Sequence, residues 1–226
     1  MLYETTAENL TSWDRPLAWC EHVTVGPPFL AARDTRFYAS LLNGFRTGDS
    51  ATQFLWPQGC SESPCDLSFF GSAHDSELVN SFTVNTNDKL GYFVACNARV
   101  GLLFGYAFAS SEFPWLNIWE SNNQKRRTRG MEFSNTPVEG TLKALIATPR
   151  LLGAPTFEWL DARKQLLKRF ASFSAAISSD YAGIAKLEAE GGLLRIVGLS
   201  GEIINVDTEP QIYDNRSSLL WRKRCS

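Results

Sequence analysis

FPWLNIWESNNQKRRTRGMEFSN, residues 113–135, has the pattern of two strands joined by a polar, basic loop. Side chains alternate between the two faces of a strand, so Met131 and Phe133 point one way and Glu132 points the other way. The apolar pair is expected to face the core. Glu132 is then expected on the opposite face, beside small residues and open space.

Two tryptophans lie on the first of these strands. Trp115 and Trp119 are four residues apart, which places them on the same face of a strand. A carboxylate next to flat aromatic surfaces suits a polar, ring-shaped ligand such as a sugar. The residues also allow a plainer interpretation, in which Glu132 is an ordinary solvent-facing glutamate and both tryptophans belong to the core.

The composition limits the classes of protein that this chain can represent. It has 226 residues, 44% of them hydrophobic, which is enough for a sizeable core, and we expect a single domain over residues 1–226. The 22 basic residues nearly balance the 24 acidic ones, so no strong field favours nucleic acid or an anionic membrane as a partner. Apolar runs such as residues 100–108 are too short to span a bilayer.

The termini and cysteines point to a reducing compartment. MLYETTAENL has neither the basic nor the apolar region of a secretory signal, which predicts a cytoplasmic protein or a true N-terminus further upstream. The five cysteines are scattered, and Cys60 and Cys65 do not have metal-finger spacing. We therefore expect no structural zinc site. The two histidines, His22 and His74, are the scarce neutral-pH acid–base groups.

Short apolar segments separated by turn signals predict an all-β sandwich or barrel. The predicted strands cover residues 17–25, 37–45, 78–84, 90–96, 100–107, 181–189, 193–197 and 203–206. The third, fourth and fifth of these are expected to form a meander, and residues 181–197 a hairpin around the turn at 190–192. Residues 47–76 are expected to be long loops with one edge strand. Residues 141–147 and 166–177 fit either a helix or a strand.

Two segments together resemble a known family. WCEHVTVGPPFL (19–30), with FPWLNIWE (113–120) and TRGMEFSNTP (128–137), is similar to the galactose mutarotase-like family, which contains the aldose 1-epimerases. The likeness runs in order over most of residues 9–177. It implies an antiparallel β-supersandwich with a sugar site on its concave face.

The resemblance also implies roles for two residues. Glu132 in RGMEF matches the family's catalytic glutamate, and His22 in WCEHVTVGPPF matches the histidine that faces it across the sugar. Glu132 would take the proton of the anomeric hydroxyl while His22 protonates the ring oxygen, which opens the ring without a metal or cofactor. Trp115, Trp119 and His74 are further candidates for contacting the sugar, although the loop-like GSAHDSE around His74 matches no family motif.

The chain also departs from the family pattern. Only 21 residues precede His22, where the family has many strands, so we expect a partial supersandwich with uncovered sheet edges that favour self-association. A non-catalytic carbohydrate-binding module is one alternative function. A hexose-phosphate epimerase that holds the phosphate with the basic loop 125–129 is another. Arg129, three residues before Glu132, is expected on the opposite face in a structural or surface role.

Overall fold

The computed structural model describes residues 1–59, 65–71, 79–122, 127–190 and 192–207. Two antiparallel sheets make up the main sandwich. The first has six strands, which in spatial order are β3 (Cys20–Val25), β11 (Arg127–Ser134), β10 (Trp115–Asn122), β7 (Asn80–Val84), β5 (Leu41–Arg46) and β6 (Asp49–Leu55). The second has five strands: β1 (Leu2–Glu8), β15 (Gln165–Ala176), β9 (Leu102–Ala109), β8 (Leu90–Asn97) and β4 (Thr35–Ala39).

Smaller elements complete the fold. A three-stranded sheet consists of β16 (Ile184–Glu190), β17 (Leu193–Gly198) and β18 (Ile203–Asp207). Two short ladders pair β12 (Arg150–Leu151) with β13 (Ala154–Pro155), and β14 (Glu158–Leu160) with β2 (Arg15–Leu17). The helix α1 (Leu142–Ala147) is capped at its N-terminus by Thr141, whose side chain accepts a hydrogen bond from the backbone N–H of Ala144.

The core between the two large sheets is built from aromatic side chains. Phe133 of β11 stacks on Phe108 of β9 with ring centroids 4.5 Å apart, and Phe113 and Phe170 pack edge-on against it. Phe133, Phe108 and Phe113 are at most 1% exposed. Burial of each such ring contributes roughly 1.5–3 kcal/mol, so this cluster fixes the face of β11 that turns inward.

The three-stranded sheet covers the outer face of the five-stranded sheet. Leu194 and Ile196 of β17 are fully buried and belong to one cluster with Val94 and Leu103 of the five-stranded sheet. β8, which lies under this contact, is therefore buried on both faces. The outer face of the six-stranded sheet is the large face that stays partly open.

Several predicted segments change sheet where the sequence shows no break. Residues 37–45 form two strands, β4 and β5, which lie in different sheets and are separated by Ser40 alone. The predicted meander is wrong for β7, because β7 pairs with β5 and β10 whereas β8 and β9 pair in the other sheet. Residues 17–25 are likewise divided into β2 and β3.

Other predictions are confirmed. Residues 47–76 contain the edge strand β6, and β16 and β17 form the expected hairpin. The two ambiguous segments resolve as the helix α1 and the strand β15. Within the described ranges, the structure has no helix long and apolar enough to cross a bilayer.

Candidate functional site

Three neighbouring strands place the candidate residues on one face of the six-stranded sheet. In the β3–β11 ladder Glu132 is the direct partner of His22, and in the β10–β11 ladder Trp119 is the partner of Gly130. Met131 and Phe133 point into the core, so Glu132 points outward as the alternation predicts. The outward face at this point is also the open one.

Glu132 and His22 are in direct contact. Nε2 of His22 lies 2.6 Å from Oε1 of Glu132. The Glu132 side chain is 9% exposed, whereas the His22 side chain is 61% exposed, so the imidazole covers the carboxylate from the solvent side. The second ring nitrogen, Nδ1, lies 3.3 Å from the hydroxyl of Thr24. The two side chains lie side by side, without the ligand-sized gap that the resemblance implied.

Trp119 is the second donor to the carboxylate. Its indole Nε1–H donates to Oε1 of Glu132, and its ring centroid lies 6.0 Å from that of His22. The indole occupies the space above Gly130, where an added Cβ atom would lie 1.9 Å from Nε1. The absence of a side chain at position 130 therefore allows Trp119 to reach Glu132.

Cys20 is a third neighbour of Glu132. Its Sγ lies 3.8 Å from Oε2 of Glu132 and donates a weak hydrogen bond to it. Loss of water around the sulfur, followed by the negative charge and hydrogen bond of Glu132, raises the pKa of the Cys20 thiol from 9.0 to about 12. The thiol therefore stays protonated at neutral pH.

A covering segment, residues 151–155, closes the other half of this face. Trp115 is fully buried there, against Phe45 and Ala154, and its Nε1–H donates to the carbonyl of Pro155 at 2.6 Å. Stacking of a sugar on Trp115 would require that segment to move. The open part of the face therefore lies around Glu132, at the β3 edge.

A buried polar network holds the strands beneath the covered half. Asn117 of β10 is 1% exposed, accepts from the Ser81 hydroxyl at 2.8 Å and donates to the Ser134 hydroxyl at 3.0 Å. Its amide also donates to the carbonyl of Thr136. These bonds join β7, β10 and β11 directly beside Glu132, and they fix the register on which the site depends.

Arg129 lies on the core side of β11, opposite to Glu132 as predicted. Its guanidinium is fully buried, 3.1 Å from the carboxylate of Glu120 and 4.3 Å from the centroid of the Phe37 ring. Burial lowers the pKa of Arg129 and raises that of Glu120, each against the effect of the other's charge. Arg129 is therefore a structural residue and cannot hold a phosphate on the open face.

The structure thus brings together His22, Glu132 and Trp119, and it separates Trp115 from them. His74 lies outside the described residues. The sequence interpretation missed Cys20 and Gly130 as parts of the site. Cys20 could have been found from its position two residues before His22, which places both on the same face of a strand. Nothing in the sequence indicates that Trp119 folds over Gly130.

The chemistry available at this site is proton transfer. A carboxylate and an imidazole in contact on an open face can accept one proton and supply another. In the part of the chain that the structure describes, no three His, Cys, Asp or Glu side chains gather into a group that could hold a metal ion.

Comparison with solved structures identifies the fold of this chain. No family model matches the chain, and no curated protein does either. A galactose mutarotase-like protein from Clostridium acetobutylicum has a similar structure, with a TM-score of 0.57 and 14% identity over 78% of this chain and 52% of that one. A galactose mutarotase related enzyme from Lactobacillus acidophilus gives 0.55 and 9%, over 78% and 58%.

A Klebsiella pneumoniae protein provisionally assigned as an aldose 1-epimerase gives a TM-score of 0.55 and 12% identity, over 78% of this chain and 42% of that one. The chain thus spans about half the length of the solved structures that it matches. These likenesses confirm the expected antiparallel, galactose mutarotase-like sandwich fold.

Proposed function

We propose that this chain, which has the galactose mutarotase-like fold, binds an aldose on the open face beside Glu132 and interconverts its anomers. The observation that carries this proposal is the contact between Nε2 of His22 and Oε1 of Glu132 on an open sheet face. The anomeric hydroxyl and the ring oxygen of an aldose are bonded to the same carbon. An acid and a base that lie side by side can therefore reach both oxygens of one sugar.

The reaction moves one proton in each direction. Glu132 removes the proton from the anomeric hydroxyl, whose electrons form the carbonyl as the bond from the anomeric carbon to the ring oxygen breaks. His22, in its protonated form, gives its proton to the ring oxygen. Rotation about the bond between C1 and C2 presents the other carbonyl face, and the same two residues with exchanged roles close the ring. Such acid–base catalysis accelerates a reaction roughly 10²–10⁴-fold.

The test is mutarotation of α-D-glucose and α-D-galactose, followed by polarimetry or NMR. The wild type should accelerate the approach to equilibrium, and Glu132→Gln and His22→Ala should each lose that acceleration. Glu8→Gln, at an exposed strand glutamate of the other large sheet, is the matched control for the first variant. His74→Ala tests the predicted contact of His74 with the sugar; loss of that contact would raise KM with little change in kcat.

A non-catalytic carbohydrate-binding module is the second candidate. It is favoured by the near-complete burial of the Glu132 carboxylate, whose Oε1 already accepts two hydrogen bonds from protein groups. A structural carboxylate of this kind could orient Trp119 for sugar binding without any turnover. Chemical-shift changes on titration with a sugar, in the absence of accelerated mutarotation, would support this candidate against the first.

The hexose-phosphate alternative loses part of its basis. Of the basic loop 125–129, Arg129 is buried against Glu120, and residues 125 and 126 lie outside the described part of the chain.

A further inference from the structure

The two carboxylate oxygens of Glu132 have unequal surroundings. Oε1 accepts hydrogen bonds from the imidazole of His22 and the indole of Trp119. Oε2 has the thiol of Cys20 as its neighbour, at 3.8 Å. A thiol is a much weaker donor than an N–H group, so Oε2 keeps more of its basicity than Oε1. Oε2 is therefore the oxygen better suited to take a proton from a ligand.

Cys20 occupies the approach to that oxygen. It is the first residue of β3 and lies on the same outward face as His22, two positions further along the strand. The residue as a whole is exposed, while its sulfur points toward Glu132. A hydroxyl group that comes from solvent to Oε2 therefore passes beside the thiol.

We propose that Cys20 is a positioning residue of the anomeric subsite. Its thiol donates to Oε2 of Glu132, directs that oxygen toward the open face, and borders the position of the anomeric hydroxyl that Oε2 deprotonates. This inference rests on the proposed function, and it adds which carboxylate oxygen acts and which residue lies beside the substrate hydroxyl.

The protonation state of the thiol supports this role. With a pKa of about 12, Cys20 is an S–H donor throughout the neutral range. The sulfur contacts the Glu132 carboxylate, whose negative charge disfavours the thiolate that a nucleophilic cysteine needs.

The contact can be tested without any enzymatic assay. Iodoacetamide labelling of the full-length protein is followed by mass spectrometry of the tryptic peptide 1–33, in which Cys20 is the only cysteine. Labelling of Cys20 should be slow at pH 8. Glu132→Gln should accelerate it, about three- to fourfold for each unit by which the thiol pKa falls, because the larger thiolate fraction is partly offset by the lower nucleophilicity of the thiolate. Glu8→Gln should leave the rate unchanged, and Cys96 in its own peptide serves as the internal reference.

Equal labelling rates in the wild type and in Glu132→Gln would overturn the proposal, whatever the protein catalyses. A second arm uses sugar protection in a preparation that accelerates mutarotation. Saturating D-galactose or D-glucose should slow the labelling of Cys20 but not that of Cys96. Unchanged labelling of Cys20 in the presence of a turned-over sugar would show that the thiol does not border the anomeric subsite.

The functional arm compares Cys20→Ala with Cys20→Ser. Cys20→Ala removes the donor that holds Oε2 in place, so kcat for mutarotation should fall while KM changes little. The serine hydroxyl keeps a donor and should restore the wild-type kcat. Identical kcat values for all three proteins would refute the positioning role while the proposed function stands. An inactive wild type would refute the proposed function. The ratio of the Cys20 labelling rates in Glu132→Gln and in the wild type would then still test the contact between Cys20 and Glu132.

Discussion

Trp119 can reach the carboxylate of Glu132 because residue 130 has no side chain. The indole lies across the backbone of Gly130 on the neighbouring strand, where even a methyl group would overlap it. The position of one tryptophan thus depends on one glycine, and with it the hydrogen bond that Oε1 of Glu132 receives.

Gly130→Ala is therefore expected to displace the Trp119 indole and break its hydrogen bond to Glu132. Mutarotation should fall at least about tenfold, since one hydrogen bond to a charged group contributes roughly 1.5–3 kcal/mol. The indole N–H resonance of Trp119 should lose its hydrogen-bonded shift in the NMR spectrum. Gly26→Ala, whose added methyl group meets only ordinary contacts at 3.8 Å, is the matched control. An unchanged indole resonance in Gly130→Ala would contradict this account.

At the scale of single residues, the sequence predicted the face of β11 on which Glu132 lies, but not the residues that Glu132 contacts. Strand alternation alone places Glu132 opposite to Met131 and Phe133, and the structure agrees. The direct contact of Glu132 with His22 depends on the pairing of β3 with β11, across 110 residues of chain, and no local pattern encodes that register. The burial of Trp115 depends on the covering segment, residues 151–155, which starts more than thirty residues later in the chain.

Among the elements, the ends of β10 and β11 are clamped to a loop by a buried ion pair. The Arg129 guanidinium donates to the carbonyl of Leu67, and the Glu120 carboxylate accepts from the N–H of Gly71 at 3.2 Å. The same loop bonds to β4 through the N–H of Phe37 and the carbonyl of Ser68, at 2.7 Å. The ion pair thus holds residues 65–71 against the six-stranded sheet, and the bond to Phe37 holds them against the five-stranded sheet.

Arg129→Met should destabilise the fold by about 3–5 kcal/mol, because it leaves the Glu120 carboxylate buried without its partner. Urea unfolding measures this, and Arg99→Ala, at the exposed pair with Asp34, should cost less than about 1 kcal/mol. The double variant Arg129→Met/Glu120→Leu should recover part of the loss. If Arg129→Met lowered the free energy of unfolding no more than Arg99→Ala does, the buried ion pair would not have the stabilising role inferred here.

The pH dependence of that deficit has a definite sign. Burial already raises the pKa of Glu120, and removal of the Arg129 charge takes away the largest effect that lowers it. A carboxyl group whose pKa is raised in the folded state loses stability as the pH rises through that value. Urea unfolding should therefore show a larger deficit for Arg129→Met at pH 8 than at pH 5.

Element boundaries were the weakest part of the sequence interpretation. The switch from β4 to β5 takes place at Ser40 inside a continuous run of strand-forming residues, so periodicity shows one strand where the chain makes two. The assignment of β7 to the meander failed for a related reason. Its short connection to β8 looks like a hairpin turn, but it crosses from one sheet to the other.

At the scale of the whole molecule, the packing of the three-stranded sheet makes the free energy of unfolding sensitive to high pH. Cys96 of the five-stranded sheet lies in the cluster that packs against it, and desolvation raises the pKa of the thiol from 9.0 to about 11. Tyr181 packs against the same cluster, and its pKa is raised to about 12, first by desolvation. Both groups hold their protons more tightly in the folded protein than in the unfolded chain.

The contribution of these two groups to the free energy of unfolding should therefore be fully present below about pH 9 and be lost as the pH rises toward 11. Cys96→Val removes one of these groups at similar volume, so the fall should be shallower in that variant. Urea unfolding at pH 8, 9, 10 and 11 provides the measurement. Parallel curves for the two proteins would exclude Cys96 as a source of the effect.

Self-association remains a prediction at this scale. β6 is an edge strand of the six-stranded sheet, and Leu55 on it is 64% exposed. We expect light scattering to give a mass above the 25.2 kDa of one chain, and Leu55→Lys to lower it, since a charged residue on an edge strand opposes pairing. A wild-type mass of one chain at all concentrations would disprove this.

The fold class is the part that the sequence predicted best. Short strands with turns between them indicate a β-sandwich on general grounds, and the two quoted segments pointed to the galactose mutarotase-like architecture that the solved structures share. Which sheet each strand enters is settled by packing among distant aromatic residues such as Phe108 and Phe133. A single sequence does not display those contacts.

The one-residue passage at Ser40 limits how this protein can be engineered. A reporter peptide spliced beside Ser40 would lengthen the only direct link between β4 and β5 and release the two sheets from their fixed alignment. The same peptide placed after Gly201, in a turn with open space around it, would disturb no strand of the sandwich. Tags, labels and split points should therefore be placed on the three-stranded sheet, away from the connection at Ser40 between β4 and β5.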